Sequence, residues 1–263
     1  MLVSIGAFAF SEFPGRIQFT DQPFPKLQTI GAYAFRDVLG TLNRIDLIDQ
    51  RELNTVNEHA FDRYQGSLSM TGDMPKLDTI GYAAFHSAGK RADAEQVEQV
   101  VSLKDLPVLR RVMQRAFTEF GGNLTFDGRF PKLEHIGARA FYGLTGDVSF
   151  KLLFGAPALQ CMGPEAFSAT TWTGSMVLKG DFPCLLHDEH KHGGTYFKAT
   201  NFNSGAAIFK DFRKVSIFPF SDAIKAGVKN CLPDTRGWCY ETIAPCTALQ
   251  GVASRSQCAF ADR

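Results

Sequence analysis

A single phrase, L-x-x-I-G-x-x-A-F, recurs along this chain and restricts what it can fold into. It is spelled from Leu2 to Phe10, Leu27 to Phe35, Leu77 to Phe85 and Leu133 to Phe141, with looser copies at Leu53 to Phe61, Leu109 to Phe117 and Leu159 to Phe167. The closing phenylalanines are 25, 26, 24, 32, 24 and 26 residues apart. Self-similarity at that period predicts a solenoid, in which each coil touches only its neighbours. The 263 residues therefore form one elongated unit where a length count alone would suggest one or two globular domains.

Within a coil the local signals are ordered. Apolar and polar residues alternate at Arg16-Ile17-Gln18-Phe19, and again at Ile45-Asp46-Leu47, Leu68-Ser69-Met70, Val101-Ser102-Leu103, Leu124-Thr125-Phe126, Val148-Ser149-Phe150 and Met176-Val177-Leu178, as in half-buried strands. A step such as Phe130-Pro131-Lys132 follows and supplies a corner, because proline fixes φ and holds its predecessor extended. L-x-x-I then reads as a second short strand, glycine as a tight bend, and x-x-A-F as about one helical turn. The fold class expected is an α/β repeat solenoid of short strands and single helical turns. Stacked coils would place the phenylalanines in one internal column, each worth roughly 2–3 kcal/mol on burial.

Two stretches break the period. Residues 86–99 lengthen one coil to 32 residues and read as a solvated excursion. Beyond Phe182-Pro183-Cys184-Leu185, an eighth coil aligns His192-Gly193 with Ile-Gly and Tyr196-Phe197 with Ala-Phe, and a degraded ninth runs from Phe212 to Ile224. The expected organisation is a solenoid over residues 1–226 and a cysteine-containing cap or tail over residues 227–263. Leu2 and Ile5 already fill the L-x-x-I slots, so the chain starts inside a coil without a polar capping repeat. The expectation is that it is a piece of a longer protein, or that a partner covers its N-terminal coil.

Charge excludes some partners. Twenty-eight basic against 27 acidic side chains leave +1, so no global field collects nucleic acid or an anionic membrane surface. No apolar run reaches the roughly 18–20 residues of a spanning helix, which argues against membrane insertion. The opening Met1 to Phe10 matches the repeat and lacks the positive charge of a signal peptide. Cys231, Cys239, Cys246 and Cys258 are the disulfide candidates, with three pairings open, since none is spaced C-x-x-C. Cys161 and Cys184 fall at different slots of adjacent coils and are expected to be free thiols.

The densest chemistry is His187-Asp188-Glu189-His190-Lys191-His192, where His187, His190 and His192 are the candidate metal ligands. A solvated insertion explains the same residues and is preferred. No nucleophile elbow, phosphate loop or H-E-x-x-H appears, so no enzyme and no cofactor are expected. Asn123-Leu124-Thr125 is a glycosylation acceptor placed in a strand, where a glycan would clash with or stand out from the ladder. Binding is expected on the outward residues of the longer strands, Gln18, Asp46, Ser69, Ser102, Thr125 and Ser149. A parallel row in the second ladder is Gln28, Asn54, Asp78, Arg110, Glu134 and Gln160.

The I-G-x-x-A-F core with its upstream leucine resembles the BspA-like class of leucine-rich repeats, over about 220 of the residues from Leu2 to Ile224. Where that family carries cysteine after A-F, this chain has residues such as Arg36, Asp62 and Tyr142. The resemblance implies a right-handed, β-rich leucine-rich-repeat coil of the kind found on cell surfaces, acting in adhesion or ligand binding. The function expected is thus a non-catalytic protein-interaction module with a protein ligand, extracellular or at the cell surface. The alternatives are a metal-binding protein or metal-dependent hydrolase using His187 to His192, and an intracellular scaffold.

Overall fold

The computed structural model describes residues 2–20, 24–90 and 98–152, with isolated positions and short strands beyond them as far as Phe218. The chain winds as a parallel β-solenoid of about six turns in this region. One face is a ladder of two-residue strands formed by the L-x-x-I segments: β1 (Ser4–Ile5), β3 (Thr29–Ile30), β5 (Thr55–Val56), β7 (Thr79–Ile80), β9 (Arg111–Val112), β11 (His135–Ile136) and β13 (Cys161–Met162). A second face carries the longer strands β2 (Gln18–Phe19), β4 (Arg44–Ile48), β6 (Ser67–Thr71), β8 (Gln99–Lys104), β10 (Asn123–Gly128), β12 (Val148–Leu152), β14 (Ser175–Lys179) and β17 (Val215–Phe218). Strand β17 pairs directly with β14, while β15 (His187–Asp188) and β16 (Gly194–Thr195) form an antiparallel pair of their own.

The interior is built from identical columns. Phe10, Phe35, Phe61, Phe85, Phe117 and Phe141 stack in order, with centroids 5.2, 5.1, 5.2, 4.9 and 5.5 Å apart and rings within 10° of parallel. Beside them run fully buried leucines, Leu27, Leu53, Leu77, Leu109, Leu133 and Leu159. The alanine before each phenylalanine is equally buried from Ala34 to Ala166, because the facing coil leaves room for one methyl group.

The x-x-A-F segments are not helical, and here the sequence expectation is corrected. No described residue is in a helix. Two residues before each closing phenylalanine the backbone is left-handed, at Phe8, Tyr33, His59, Ala83, Arg115 and Arg139 (φ 50 to 58°). Two residues after it, Glu12, Asp37, Arg63, Ser87 and Glu119 repeat the excursion, with Gly143 in the sixth copy. Alternating handedness flips every other peptide, so the N–H groups point alternately along the chain and into the next coil. Tyr33, Phe35 and Asp37 donate to the Glu58, Ala60 and Asp62 carbonyls at 2.7–2.9 Å, whereas Ala34 and Arg36 close local turns at 3.3 Å. A left-handed L-residue costs about 1–2 kcal/mol, and cross-coil hydrogen bonds of about 1 kcal/mol each offset it. A helix would consume all these donors locally and leave the coils unlinked along this edge.

The repeat glycine has a different reason from the bend expected of it. Gly31 and Gly81 do not have positive φ, yet a Cβ on either would lie 2.5 Å from the backbone of the preceding coil. Close approach of neighbouring coils requires glycine there.

Register departs from the repeat alignment twice along the longer-strand face, between β2 and β4 and between β6 and β8. Leu47, Met70, Val101, Leu124 and Val148 form one internal column, so Leu68 faces Gln99. In that 32-residue coil Gln99 enters the core, where its Nε2 donates to the Tyr64 and Gly66 carbonyls at 3.1 and 2.8 Å.

Candidate functional site

That register decides what the longer-strand face presents. Ser102, Thr125 and Ser149 stand side by side on β8, β10 and β12, and the backbone of β14 pairs with β12 in the same register. Ser69 lies opposite Val100, two residues out of that line, and Asp46 pairs with Ser69. Gln18 pairs with Arg44, which displaces it by two more. The six residues expected in a single row therefore occupy three, and the structure brings together Ser102, Thr125 and Ser149 as one group and Asp46 and Ser69 as another. Asp46 is nearly buried and accepts from Arg44 Nε at 3.0 Å. Beside the hydroxyl row, Lys104, Asp127 and Lys151 alternate in charge, with Lys151 3.8 Å from Asp127.

On the short-strand face, the Asn54, Asp78, Arg110 and Glu134 amides each donate to the carbonyl of their counterpart one coil earlier, starting from Gln28. Their side chains are tied to neighbours: Thr55 and Thr79 hydroxyls donate to Asn54 and Asp78 at 2.8 Å, and Arg110 sits 3.5 Å from Asp78. Further along, His135 is 6% exposed with no hydrogen-bond partner for Nε2. Burial, with the Arg111 charge beside it, pushes its imidazole down to about 4, so it is neutral at physiological pH.

The turn edge holds the constellation that the sequence reading missed. The left-handed residues Phe8, Tyr33 and His59 stack at 4.8 and 4.9 Å, and Tyr82 meets the His59 ring edge-on at 5.1 Å. Below this ladder, Asp62 receives one imidazole on each carboxylate oxygen, His59 Nδ1 and His86 Nδ1 both at 2.8 Å. Its side chain is 7% exposed. Burial alone would raise the Asp62 carboxyl, but the hydrogen bonds and charge of the two imidazoles outweigh it and hold the group well below the usual carboxylate range. Arg36 lies over the Tyr33 ring, 3.1 Å from Asp37 and 3.9 Å from Asp62, and Arg63 also pairs with Asp37. Three successive coils are locked by this network. The available signal was positional: three copies running carry a ring two residues before the closing phenylalanine, and the residues after A-F are ionisable.

Other expected residues fall elsewhere. Asn123 is exposed at the start of β10, with its Oδ1 accepting from the Asp147 amide at 3.1 Å. His187 lies in β15, whereas His190, His192 and the cysteines Cys184, Cys231, Cys239, Cys246 and Cys258 lie outside the described residues, as does the cap over residues 227–263. Among the described residues no group of three or more His, Cys, Asp or Glu is arranged to hold a metal ion, and no helix is long and apolar enough to cross a membrane. No family model, curated protein or solved structure matches the chain.

Proposed function

We propose that this chain is a non-catalytic protein-interaction module of the BspA-like leucine-rich-repeat kind, acting at a cell surface or outside the cell, and that its partner docks on the turn edge. The observation carrying this reading is the Tyr33, His59, Tyr82 and Arg36 group over Asp62. Tyrosine and arginine dominate binding hot spots, and side chains already fixed by stacking and ion pairs lose little entropy on association. A stacked solenoid supplies the rigid base. The charges cancel locally, which suits a protein surface better than a polyanion.

The test is a pull-down from extracellular-matrix extract and from cell lysate with the wild-type chain, a Tyr33→Ala/Tyr82→Ala variant and a Thr125→Lys variant. Retention of a matrix protein that the tyrosine variant loses and the Thr125 variant keeps is the expected result. Loss with Thr125→Lys alone moves the site to the strand face, and retention from lysate only favours an intracellular scaffold.

A further inference from the structure

Asn123-Leu124-Thr125 is the one N-x-S/T sequence in the chain, so a single asparagine can take a glycan. In β10 the side chains alternate between the two sides of the sheet: Leu124 and Phe126 are buried, and Asn123 and Thr125 stand on the outer side. Asn123 is exposed. Its neighbour in register one coil earlier is Val100, too short a side chain to lie over it. One coil later the Asp147 amide donates to Asn123 Oδ1 at 3.1 Å, which fixes the side chain by its carbonyl and leaves Nδ2 in no hydrogen bond among the described residues.

The other described asparagines differ at this atom. Asn43, Asn54 and Asn57 spend Nδ2 on the Gly40, Lys76 and Ile30 carbonyls, at 2.7, 3.5 and 3.0 Å. Asn123 alone combines a free amide nitrogen with a hydroxyl two residues on, and the Thr125 hydroxyl is likewise unengaged among the described residues.

We propose that Asn123 is an N-glycosylation site, an inference that rests on the reading of this chain as one that acts outside the cell. In the transfer, Asn123 Nδ2 displaces a polyprenyl pyrophosphate from the anomeric carbon of the oligosaccharide it carries. The N–C bond forms as the C–O bond to phosphate breaks. The pyrophosphate leaves with the bonding pair, Nδ2 gives up one proton, and nothing is oxidised or reduced. Transfer acts on the extended chain before β10 pairs, so the fold imposes one condition, that the linked nitrogen end outside the ladder. The linkage leaves Oδ1 an acceptor, and the hydrogen bond from the Asp147 amide survives it. The Ser102, Thr125 and Ser149 row lies two residues further along the strands, about 7 Å from the root of the sugar. A branched oligosaccharide screens that row from a protein partner, which fits docking on the turn edge.

The test is secretion of the full chain from cultured animal cells behind a cleavable signal, with masses read on secreted and microsomal material before and after a peptide-N-glycosidase. The wild type is expected to carry the mass of one oligosaccharide, lost on treatment with conversion of the Asn123 side chain to a carboxylate. Thr125→Val, which keeps the β-branched shape, and Asn123→Gln should each abolish it, and Thr125→Ser should retain it. The denaturation midpoint should be the same before and after the sugar is removed, because the sugar touches nothing in the ladder. A wild-type chain bare in both fractions overturns the proposal, as does a glycan that persists in Thr125→Val or a midpoint that rises several degrees on deglycosylation. Those outcomes leave the outside-the-cell reading standing; a glycosylated chain that retains partners from cell lysate alone overturns that reading and supports the site.

Discussion

Two aromatic stacks run side by side along this solenoid, separated by one residue of chain. The inner one, from Phe10 to Phe141, continues without interruption through six coils. The outer one, starting at Phe8, takes Tyr33 and His59 and then gives way to Ala83, Arg115 and Arg139 at the same backbone position. Spacing and backbone geometry are shared, so they do not explain the difference. The inner position is enclosed on all sides and accepts a single shape, whereas the outer tolerates any side chain the left-handed turn can carry. Interior repetition reports architecture. Departures from repetition on the outside report what the surface is for.

The sharpest way to break this contrast is to truncate one ring in each stack. Phe85 is fully buried between Phe61 and Phe117, so Phe85→Ala should cost about 3–5 kcal/mol in denaturant titration. Phe8→Ala, at 58% exposure, should cost less than about 1 kcal/mol. Equal costs would mean that the inner column is not the axis of the fold. Glycine offers a matched pair next in size. Gly81→Ala forces a methyl group against the Asn57 backbone, 2.5 Å away, and should cost about 2–3 kcal/mol, while Gly6→Ala meets nothing within 4 Å and should be near neutral.

These pairs also mark what was legible beforehand. Leu133, Ile136, Ala140 and Phe141 announced a core column because burial forces the same residue into every copy. The turn at Gly137-Ala138-Arg139-Ala140 reads as helical from its residues, since alanine and arginine are good helix formers and a left-handed φ at a non-glycine residue leaves no compositional trace. The register shift at Gln99 was hidden for a related reason: Leu68-Ser69-Met70 and Val101-Ser102-Leu103 match in pattern, and only packing decides that Met70 faces Val101. At the turn edge, His59, Asp62 and His86 are 27 residues apart end to end and touch only because coils stack 24 residues apart there.

Buried histidine gives a prediction of intermediate size. The His135 imidazole lies at about 4 in the folded chain against 6.5 unperturbed, with burial first and the Arg111 charge second as causes. Between those values the unfolded chain takes up a proton that the folded chain refuses, so stability should fall by about 2–3 kcal/mol as pH drops from 6.5 to 4. Denaturant midpoints across that window should show the slope, and His135→Gln should flatten it. An unchanged slope in the variant would assign the pH dependence to other groups.

Asp62 should act in the same sense, over a more acid window. Its carboxyl is depressed in the folded state, so its contribution is complete above the unfolded value of 3.8 and is lost as pH falls through the lower folded one. Asp62→Asn keeps the shape but removes the charge and accepts on only one oxygen, so that one of His59 and His86 must change tautomer to accept from the new amide or lose its hydrogen bond. The expected cost at neutral pH is about 1–2 kcal/mol, discounted because both imidazoles are partly solvated. The difference from wild type should shrink in strongly acid solution. The decisive readout is local: hydrogen exchange should quicken at the Tyr33, Phe35 and Asp37 amides, which cross to the coil that Asp62 anchors, while the amides of β10 and β12 stay protected. Uniform quickening across both regions would show that the network serves the whole solenoid and has no separate role in holding the turn edge in shape.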